Sequence, residues 1–175
     1  MATLKVETDL LANTDLFAKL SSLDREAIAT RLRPVTFQSG QLIFSRGDEA
    51  RELYLVQSGR VRLSILSSEG RELSLAHATT GGIFGEIAVL DGGRRTADAT
   101  ALSAVTALSL TRSALVATME TRPQIALAAI AFLCQRLRET DVKIEAIALH
   151  PIEVRLARFF LSAVFLQSPE AKGQA

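Results

Sequence analysis

The chain has 175 residues, of which 48% are hydrophobic, and its formal net charge is +1. This is enough apolar material for one substantial core with a helical addition, and the near balance of charge argues against the basic field of a nucleic-acid-binding domain. The one cysteine, Cys134, leaves no disulfide framework and no four-cysteine zinc or iron–sulfur site within the chain.

The N-terminal residues carry no export or anchoring signal. They lack a long apolar run behind a basic segment, and the longest apolar stretch, Ile125 to Cys134, is too short to cross a bilayer. We therefore expect a cytoplasmic protein with no membrane partner.

Helical patterns open the chain. A capping sequence at residues 13–15 precedes LFAKL, and Ser22 precedes an amphipathic pattern with charged residues in its first turn. The sequence predicts a helix over residues 22–32 that is ended by Pro34.

Between Val35 and Thr111 the apolar residues mostly alternate with a period of two. The runs are short, and glycine-containing turns separate them at roughly even spacing. This pattern is typical of an antiparallel barrel or jelly roll. With the flanking helices, the predicted fold is α+β: an antiparallel β jelly-roll barrel with N-terminal helices.

After Thr111 the period becomes helical. A short helix is predicted to stop near Arg122 and Pro123, and a long helix runs from Gln124 to about Leu149. Residues on one face of the long helix recur at spacings of three and four: Ile130, Leu133, Leu137, Thr140, Ile144 and Ile147. Such a stripe predicts a homodimer formed by pairing of this helix, and the alternative is packing on the barrel of the same chain.

One stretch inside the strand pattern predicts an anion site. Glycines break the alternation before residues 86–90, which are long enough for one helical turn, and a helix that opens at Gly85 presents free backbone N–H groups. Arg94 and Arg95 follow a flexible segment and can return toward this turn, and an arginine fork matches two phosphate oxygens. Glu86 can accept a hydrogen bond from a hydroxyl such as a ribose 2′-OH.

A ligand with one phosphate, one free ribose hydroxyl and a flat base meets these requirements. The stretch FGEIAVLDGGRRTADATA, residues 84–101, resembles the phosphate-binding cassette of cyclic nucleotide-binding domains, whose pattern is Phe-Gly-Glu-aliphatic-Ala-Leu, a short gap, then Arg-(Ser/Thr/Ala)-Ala. The matching residues are Phe84, Gly85, Glu86, Ile87, Ala88, Val89, Arg95, Thr96 and Ala97. Upstream matches to the barrel of that family are Gly40, Ile43, Gly47, Asp48, Tyr54, Val56, Gly59 and Val61.

The resemblance implies a binding site for cAMP or cGMP. It implies that Glu86 holds the ribose 2′-OH and that Arg95 pairs with the cyclic phosphate, while Thr96 contacts phosphate or helps to read guanine. The ligand-binding residues that it implies on the barrel are Gly85, Glu86, Ile87, Ala88, Arg95, Thr96, Leu63 and Leu75. Arg94 is variable in the family and is interpreted as a surface residue. The alternative for Glu86 and Arg95 is a plain salt bridge on a loop.

The helical tail is similar to that of Crp/Fnr-type bacterial transcription regulators. In that type the long helix forms the dimer interface and reads the base with two adjacent polar residues, which match Thr140 and Asp141. Asp141 departs from the serine or threonine of the pattern, although an aspartate can accept from an adenine amino group.

The resemblance also implies a division of the chain into three parts. Residues 1–122 are expected to form the cyclic nucleotide-binding barrel with N-terminal helices, residues 123–149 the dimerisation helix, and residues 150–175 the first helix and linker toward an absent C-terminal DNA-binding domain. An apolar face would pack on that domain: Phe159, Phe160, Leu161, Val164, Phe165 and Leu166. We expect DNA binding only through that absent domain.

Other functions fit less well. A cupin enzyme needs several converging histidines, but only His77 and His150 exist, so we expect neither an enzyme, a metal site nor a bound cofactor. One remaining alternative is a sensor of the same fold for haem, with His77 as an axial ligand, or for another small effector. The other is a cytosolic cyclic nucleotide gating module of a channel.

Overall fold

The computed structural model describes residues 8–149, 153–154 and 156–157, and it describes their side chains except those of Lys143 and Ile147. The predictions for Ile147, for His150 and for the apolar face at residues 159–166 lie outside the described residues. The chain divides into two compact units, Met1–Ala131 and Phe132–Ala175.

Eight strands and four named helices make up the described fold. The strands are β1 (Arg33–Phe37), β2 (Leu42–Phe44), β3 (Glu52–Ser58), β4 (Val61–Leu66), β5 (Glu72–Ala78), β6 (Ile83–Phe84), β7 (Asp98–Ala101) and β8 (Val105–Thr111). The helices are α1 (Ser22–Ala29), α2 (Glu86–Asp91), α3 (Arg112–Thr121) and α4 (Pro123–Leu149), and residues 8–12 are also helical.

The strands form two antiparallel sheets of four strands each. Their orders are β1-β8-β3-β6 and β2-β7-β4-β5, and every described strand pair is antiparallel. An apolar cluster contributed by both sheets forms the core: Tyr54, Val56, Val61, Ala78, Phe84, Ala99, Ala101, Val105 and Ala107. The predicted jelly roll with a long C-terminal helix is confirmed.

The two central strands of the first sheet are buried on both faces. In β3 the consecutive residues 53–56 are all buried, and in β8 residues 107–110 are. The face turned away from the core is covered because α2 packs against β3 and α3 packs against β8. Both faces of the first sheet are therefore packed at its centre.

The predicted end of the first helix is wrong. The first helix ends at Ala29 with Thr30 as its C-cap, well before Pro34. Pro34 lies inside β1, an edge strand whose one neighbour is β8. Because no strand pairs with the other side of β1, a proline without an N–H is tolerated there. The last part of the period-two pattern, residues 96–111, forms two strands, because the chain leaves the second sheet after Ala101 and enters the first sheet at Val105.

An ion pair joins α1 to the C-terminal end of α3. Arg122 Nη1 lies 2.9 Å from Asp24 Oδ1, and the Ser21 hydroxyl donates to the other carboxylate oxygen at 2.7 Å. These hydrogen bonds, first from Ser21 and then from Arg122, hold the pKa of Asp24 below its ordinary value. A carboxyl with a lowered folded-state pKa stabilises the fold above its unfolded pKa, and this contribution is lost as the pH falls.

We expect Asp24→Asn to lower the free energy of unfolding at pH 7 by about 0.5–1 kcal/mol, since the pair is partly exposed. The difference from the wild type should shrink as the pH falls from the ordinary aspartate pKa of about 4 through the lower pKa of the folded-state carboxyl. Urea midpoints measured from pH 7 to pH 2.5 check this, with the exposed Asp15→Asn as the matched control. A difference that is constant over this range would contradict the role of the ion pair.

Candidate phosphate-binding site

A left-handed glycine shapes the turn into α2. Gly85 has a φ of 76° and is the N-cap of the helix. A Cβ at Gly85 would lie 2.5 Å from Arg95 Nη1 and 3.3 Å from Phe44 Cε1. Both the backbone conformation and the close approach of Arg95 therefore require glycine here.

Arg95 lies beneath this turn and is 5% exposed. Its Nη1 donates to the carbonyl oxygen of Gly85 at 2.8 Å, and its Nη2 donates to the carbonyl oxygen of Glu52 at 2.7 Å. The Phe44 ring covers the guanidinium, with 4.0 Å between Cζ and the ring centroid. The Nε is buried and has no hydrogen-bond partner among the described residues.

Burial is the main influence on the charge of Arg95. It lowers the pKa of the guanidinium, while the charges of Tyr54, Glu52, Asp48 and Glu86 raise it. An arginine nevertheless keeps its proton in a protein. The site therefore holds a permanent buried cation with one unused buried donor, which is the environment that an oxyanion would stabilise.

Backbone pairing explains why the chain returns to α2 at Arg95. The Gly47 N–H donates to the Arg95 carbonyl oxygen, and the Arg95 N–H donates to the Asp48 carbonyl oxygen, both at 2.9 Å. Arg94 next to it is exposed, and its Nη1 donates to the Gly47 carbonyl oxygen at 2.8 Å. Of the two adjacent arginines, the structure buries Arg95 and leaves Arg94 at the surface.

Glu86 opens α2 and is 2% exposed. Its negative charge raises the pKa of Arg95, so the predicted carboxylate and the predicted guanidinium belong to one site. A buried carboxylate at this position can accept a hydrogen bond from a hydroxyl group while a nearby cation offsets its charge. Gly85, Glu86 and Arg95 are thus brought together at the start of α2.

The other predicted barrel residues differ in exposure. Ala88 is buried in α2, whereas Ile87 is 41% exposed and Thr96 is exposed. Leu63 on β4 is half-buried against the core cluster, and Leu75 on β5 is 47% exposed. His77, the residue considered as a haem ligand, is exposed on β5 and pairs in register with Arg62.

The residues predicted on the long helix lie mostly at its surface. Thr140 and Asp141 are exposed, and the Thr140 hydroxyl donates to the Arg136 carbonyl oxygen at 2.9 Å. Of the apolar stripe, Leu133 is half-buried, and the exposed members are Ile130, Leu137 and Ile144.

An aromatic cluster that the sequence patterns did not predict packs next to Arg95. Tyr54 stacks on Phe84 with 5.0 Å between ring centroids, and Phe44 lies 6.3 Å from Tyr54 and 6.0 Å from Phe84. The Tyr54 hydroxyl donates to Glu52 Oε1 at 2.9 Å, and burial, followed by this hydrogen bond, raises the pKa of Tyr54. In the sequence, Tyr54 and Phe84 are marked only as matches to the family pattern, and Phe44 carries no signal beyond being an aromatic residue in a strand pattern.

Comparisons with known proteins agree with this geometry. Residues 34–122 match the family model of the cyclic nucleotide-binding domain. The chain therefore belongs to that family, and its fold is the jelly roll found in CRP-like transcription regulators. This class consists of sensors and regulators, so the chain is a ligand-binding module and not an enzyme.

Its relatives include the CRP-like cAMP-activated global transcriptional regulator of Mycobacterium tuberculosis, which is 30% identical over 153 residues, covering 87% of this chain and 68% of the relative. The cyclic AMP receptor protein of Thermus thermophilus is 36% identical over 121 residues, covering 69% of this chain and 56% of the relative. The crystal structure of the Thermus thermophilus catabolite activator protein aligns with a TM-score of 0.70 and 33% identity, covering 77% of this chain and 63% of that one. The chain thus spans between about half and two thirds of these proteins.

Two further properties concern only the part of the chain that the structure describes. Within it, no helix combines the length and the apolar character that a membrane crossing requires. The same residues contain no group of three or more His, Cys, Asp or Glu side chains arranged to hold a metal ion.

Proposed function

We propose that this chain is the ligand-sensing and dimerisation region of a bacterial transcription regulator and that it binds cAMP or cGMP. The buried cation of Arg95, with an unused donor beside the Gly85 turn, is the observation that carries the proposal. The regulator of Mycobacterium tuberculosis to which the chain is similar is described as cAMP-activated, which favours cAMP as the first ligand to test. DNA contact in this proposal belongs to a C-terminal domain.

The phosphate would bind at the start of α2. Arg95 would supply charge-assisted hydrogen bonds to the exocyclic phosphate oxygens, and the first-turn backbone N–H groups of residues 86–88 would add further donors. Glu86 would accept from the ribose 2′-OH. Thr96, exposed next to Arg95, would donate its hydroxyl to the phosphate or to guanine.

The base would lie on apolar side chains of the second sheet. Leu63 and Leu75 offer apolar surface from the second sheet. Thr140 and Asp141 are exposed on α4, where their hydroxyl and carboxylate groups are available as hydrogen-bond partners. An amino group of adenine suits the carboxylate of Asp141 as acceptor.

The experiment that tests this function is calorimetric titration of the purified chain with cAMP, with cGMP and with 2′-deoxy cAMP. Binding of a cyclic nucleotide supports the proposal, and its strength ranks the two bases. Glu86→Gln should weaken binding of the ribose form more than binding of the deoxy form. Absence of heat with every nucleotide contradicts the function, and a Soret band in the purified protein would favour a haem sensor instead.

We also propose that α4 forms a homodimer by pairing with the same helix of a second copy. Three large apolar side chains of the predicted stripe are 57–61% exposed: Ile130, Leu137 and Ile144. Their spacing is that of a coiled-coil seam, in which a second copy covers every position of the stripe at once. Thr140 is the polar residue inside the seam, where it would disfavour shifted registers.

Leu137→Asp should convert the dimer to a monomer, because it places a charge at the centre of the seam. Gln135→Asp is the matched control, since Gln135 is exposed on the same helix and lies off the stripe, and it should leave the dimer intact. Sedimentation equilibrium of the three proteins measures the effect. A wild-type chain that is already monomeric at high concentration would contradict the proposed seam.

A further inference from the structure

We propose that Phe44 is a positioning residue for nucleotide binding, because its ring holds the Arg95 guanidinium in the orientation in which it meets the phosphate. The inference rests on the proposed function. It adds a residue outside the 84–101 stretch, on β2, to the determinants of affinity.

The contact between the two side chains is close and is supported from behind. Arg95 Cζ lies 4.0 Å from the Phe44 ring centroid, well within the range of a cation–π interaction. Phe44 itself stacks on Phe84 at 6.0 Å and on Tyr54 at 6.3 Å. Two aromatic neighbours therefore restrict the orientation of the Phe44 ring.

Three contacts together fix the plane of the guanidinium. The Phe44 ring covers one face, while the carbonyl oxygens of Gly85 and Glu52 accept from two of its nitrogens at 2.8 and 2.7 Å. The carbonyl groups define two directions within the plane, and the ring stops the plane from tilting. An arginine fork binds an oxyanion only in the correct plane. Because the side chain is already held in that plane, less conformational entropy is lost when the phosphate binds.

The position of Phe44 also explains why an aliphatic residue would not serve equally. An aliphatic side chain of similar volume would fill the space but would lack the negative face of the ring that attracts the cation. Phe44 is only half-buried, so its contribution to the core is smaller than that of the fully buried Phe84. The ring and the guanidinium therefore form a pair whose effect should be visible in binding.

The test compares Phe44→Leu and Phe44→Tyr with the wild type by calorimetric titration with cAMP and cGMP, each variant also in the Arg95→Ala background. We expect about three- to tenfold weaker binding for Phe44→Leu, since the cation–π contact is lost, and near-normal binding for Phe44→Tyr. In the Arg95→Ala background Phe44→Leu should cause no further loss. Phe37→Leu is the matched control, because Phe37 packs on the edge of Tyr54 in the same cluster, at 5.6 Å.

The outcomes separate this inference from the proposed function. If the wild type binds a nucleotide and Phe44→Leu binds equally well, the positioning role is wrong and the function stands. If Phe44→Leu weakens binding as much without Arg95 as with it, or if Phe37→Leu weakens binding equally, the ring acts on the ligand or on general packing, and the inference is overturned. If the wild type binds neither nucleotide, the function and the inference both fail. Phe44→Met replaces Phe44→Leu should that variant not fold.

Discussion

Gly59→Ala should lower the free energy of unfolding by about 3–5 kcal/mol, although it adds a single methyl group. Gly59 has a φ of 90°, and a Cβ there would overlap with the Ala104 carbonyl oxygen and would lie 2.9 Å from Val105 Cα. Both neighbours are backbone atoms, so no side-chain rotation can relieve the overlap. Since a domain is stabilised by about 5–15 kcal/mol in total, this is a large fraction of its stability.

The position of Gly59 in the fold explains the close approach. It lies in the turn where the chain leaves β3 in the first sheet and enters β4 in the second, beside the segment that connects β7 to β8. Two hydrogen bonds tie these crossings together, from Arg60 N to Ser103 Oγ at 3.1 Å and from Leu102 N to the Arg60 carbonyl oxygen at 2.8 Å. Separating the two crossings would disturb both sheets.

Gly47→Ala is the matched control for this variant. Gly47 also has a φ of 90°, but no atom lies within 4 Å of a Cβ placed there. Only the backbone strain should remain, at about 1 kcal/mol. Urea unfolding followed by far-UV circular dichroism measures both variants, and equal losses would show that the clash at Gly59 is relieved by a small backbone shift.

The sequence predicted the fold through local patterns. Turn glycines and a period of two between Val35 and Thr111 predicted the jelly roll, and a pattern with spacings of three and four predicted α4. These signals are reliable where one face of an element is buried and the other is wet. They weaken in β3 and β8, where both faces are buried, and at Pro34, where an edge strand tolerates a proline that a central strand would not.

The residues of the candidate site also differ in whether a local sequence pattern predicts them. Gly85, Glu86 and Arg95 could be found because they lie in one stretch and carry an unusual combination of glycine, carboxylate and guanidinium. Phe44 and the Glu52 carbonyl could not be found, because they reach Arg95 only after β2, β3 and β6 are assembled. A backbone carbonyl carries no residue signature at all, and an aromatic residue in a strand pattern normally indicates core.

Arg95→Ala should weaken binding of the preferred cyclic nucleotide by at least about 30-fold, and up to about 1000-fold. Truncating one partner of a buried, hydrogen-bonded charge pair costs about 2–4 kcal/mol, which corresponds to this range. Arg95→Lys should be intermediate, with a loss on the order of tenfold, because it keeps the charge and loses the planar fork. Arg94→Ala is the matched control, since Arg94 is adjacent and exposed, and it should bind within about threefold of the wild type.

The structural role of Arg95 has to be separated from its role in binding. Removing the guanidinium leaves the carbonyl oxygens of Gly85 and Glu52 without this donor, which should destabilise the fold by about 1–3 kcal/mol. Titrations of Arg95→Ala are therefore made at a temperature where circular dichroism shows the variant to be folded. If the folded variant binds as tightly as the wild type, Arg95 is only a structural bond between α2 and β3. If Arg94→Ala loses as much affinity as Arg95→Ala, the phosphate interacts with the general positive field of the loop, and the buried site is not where it binds.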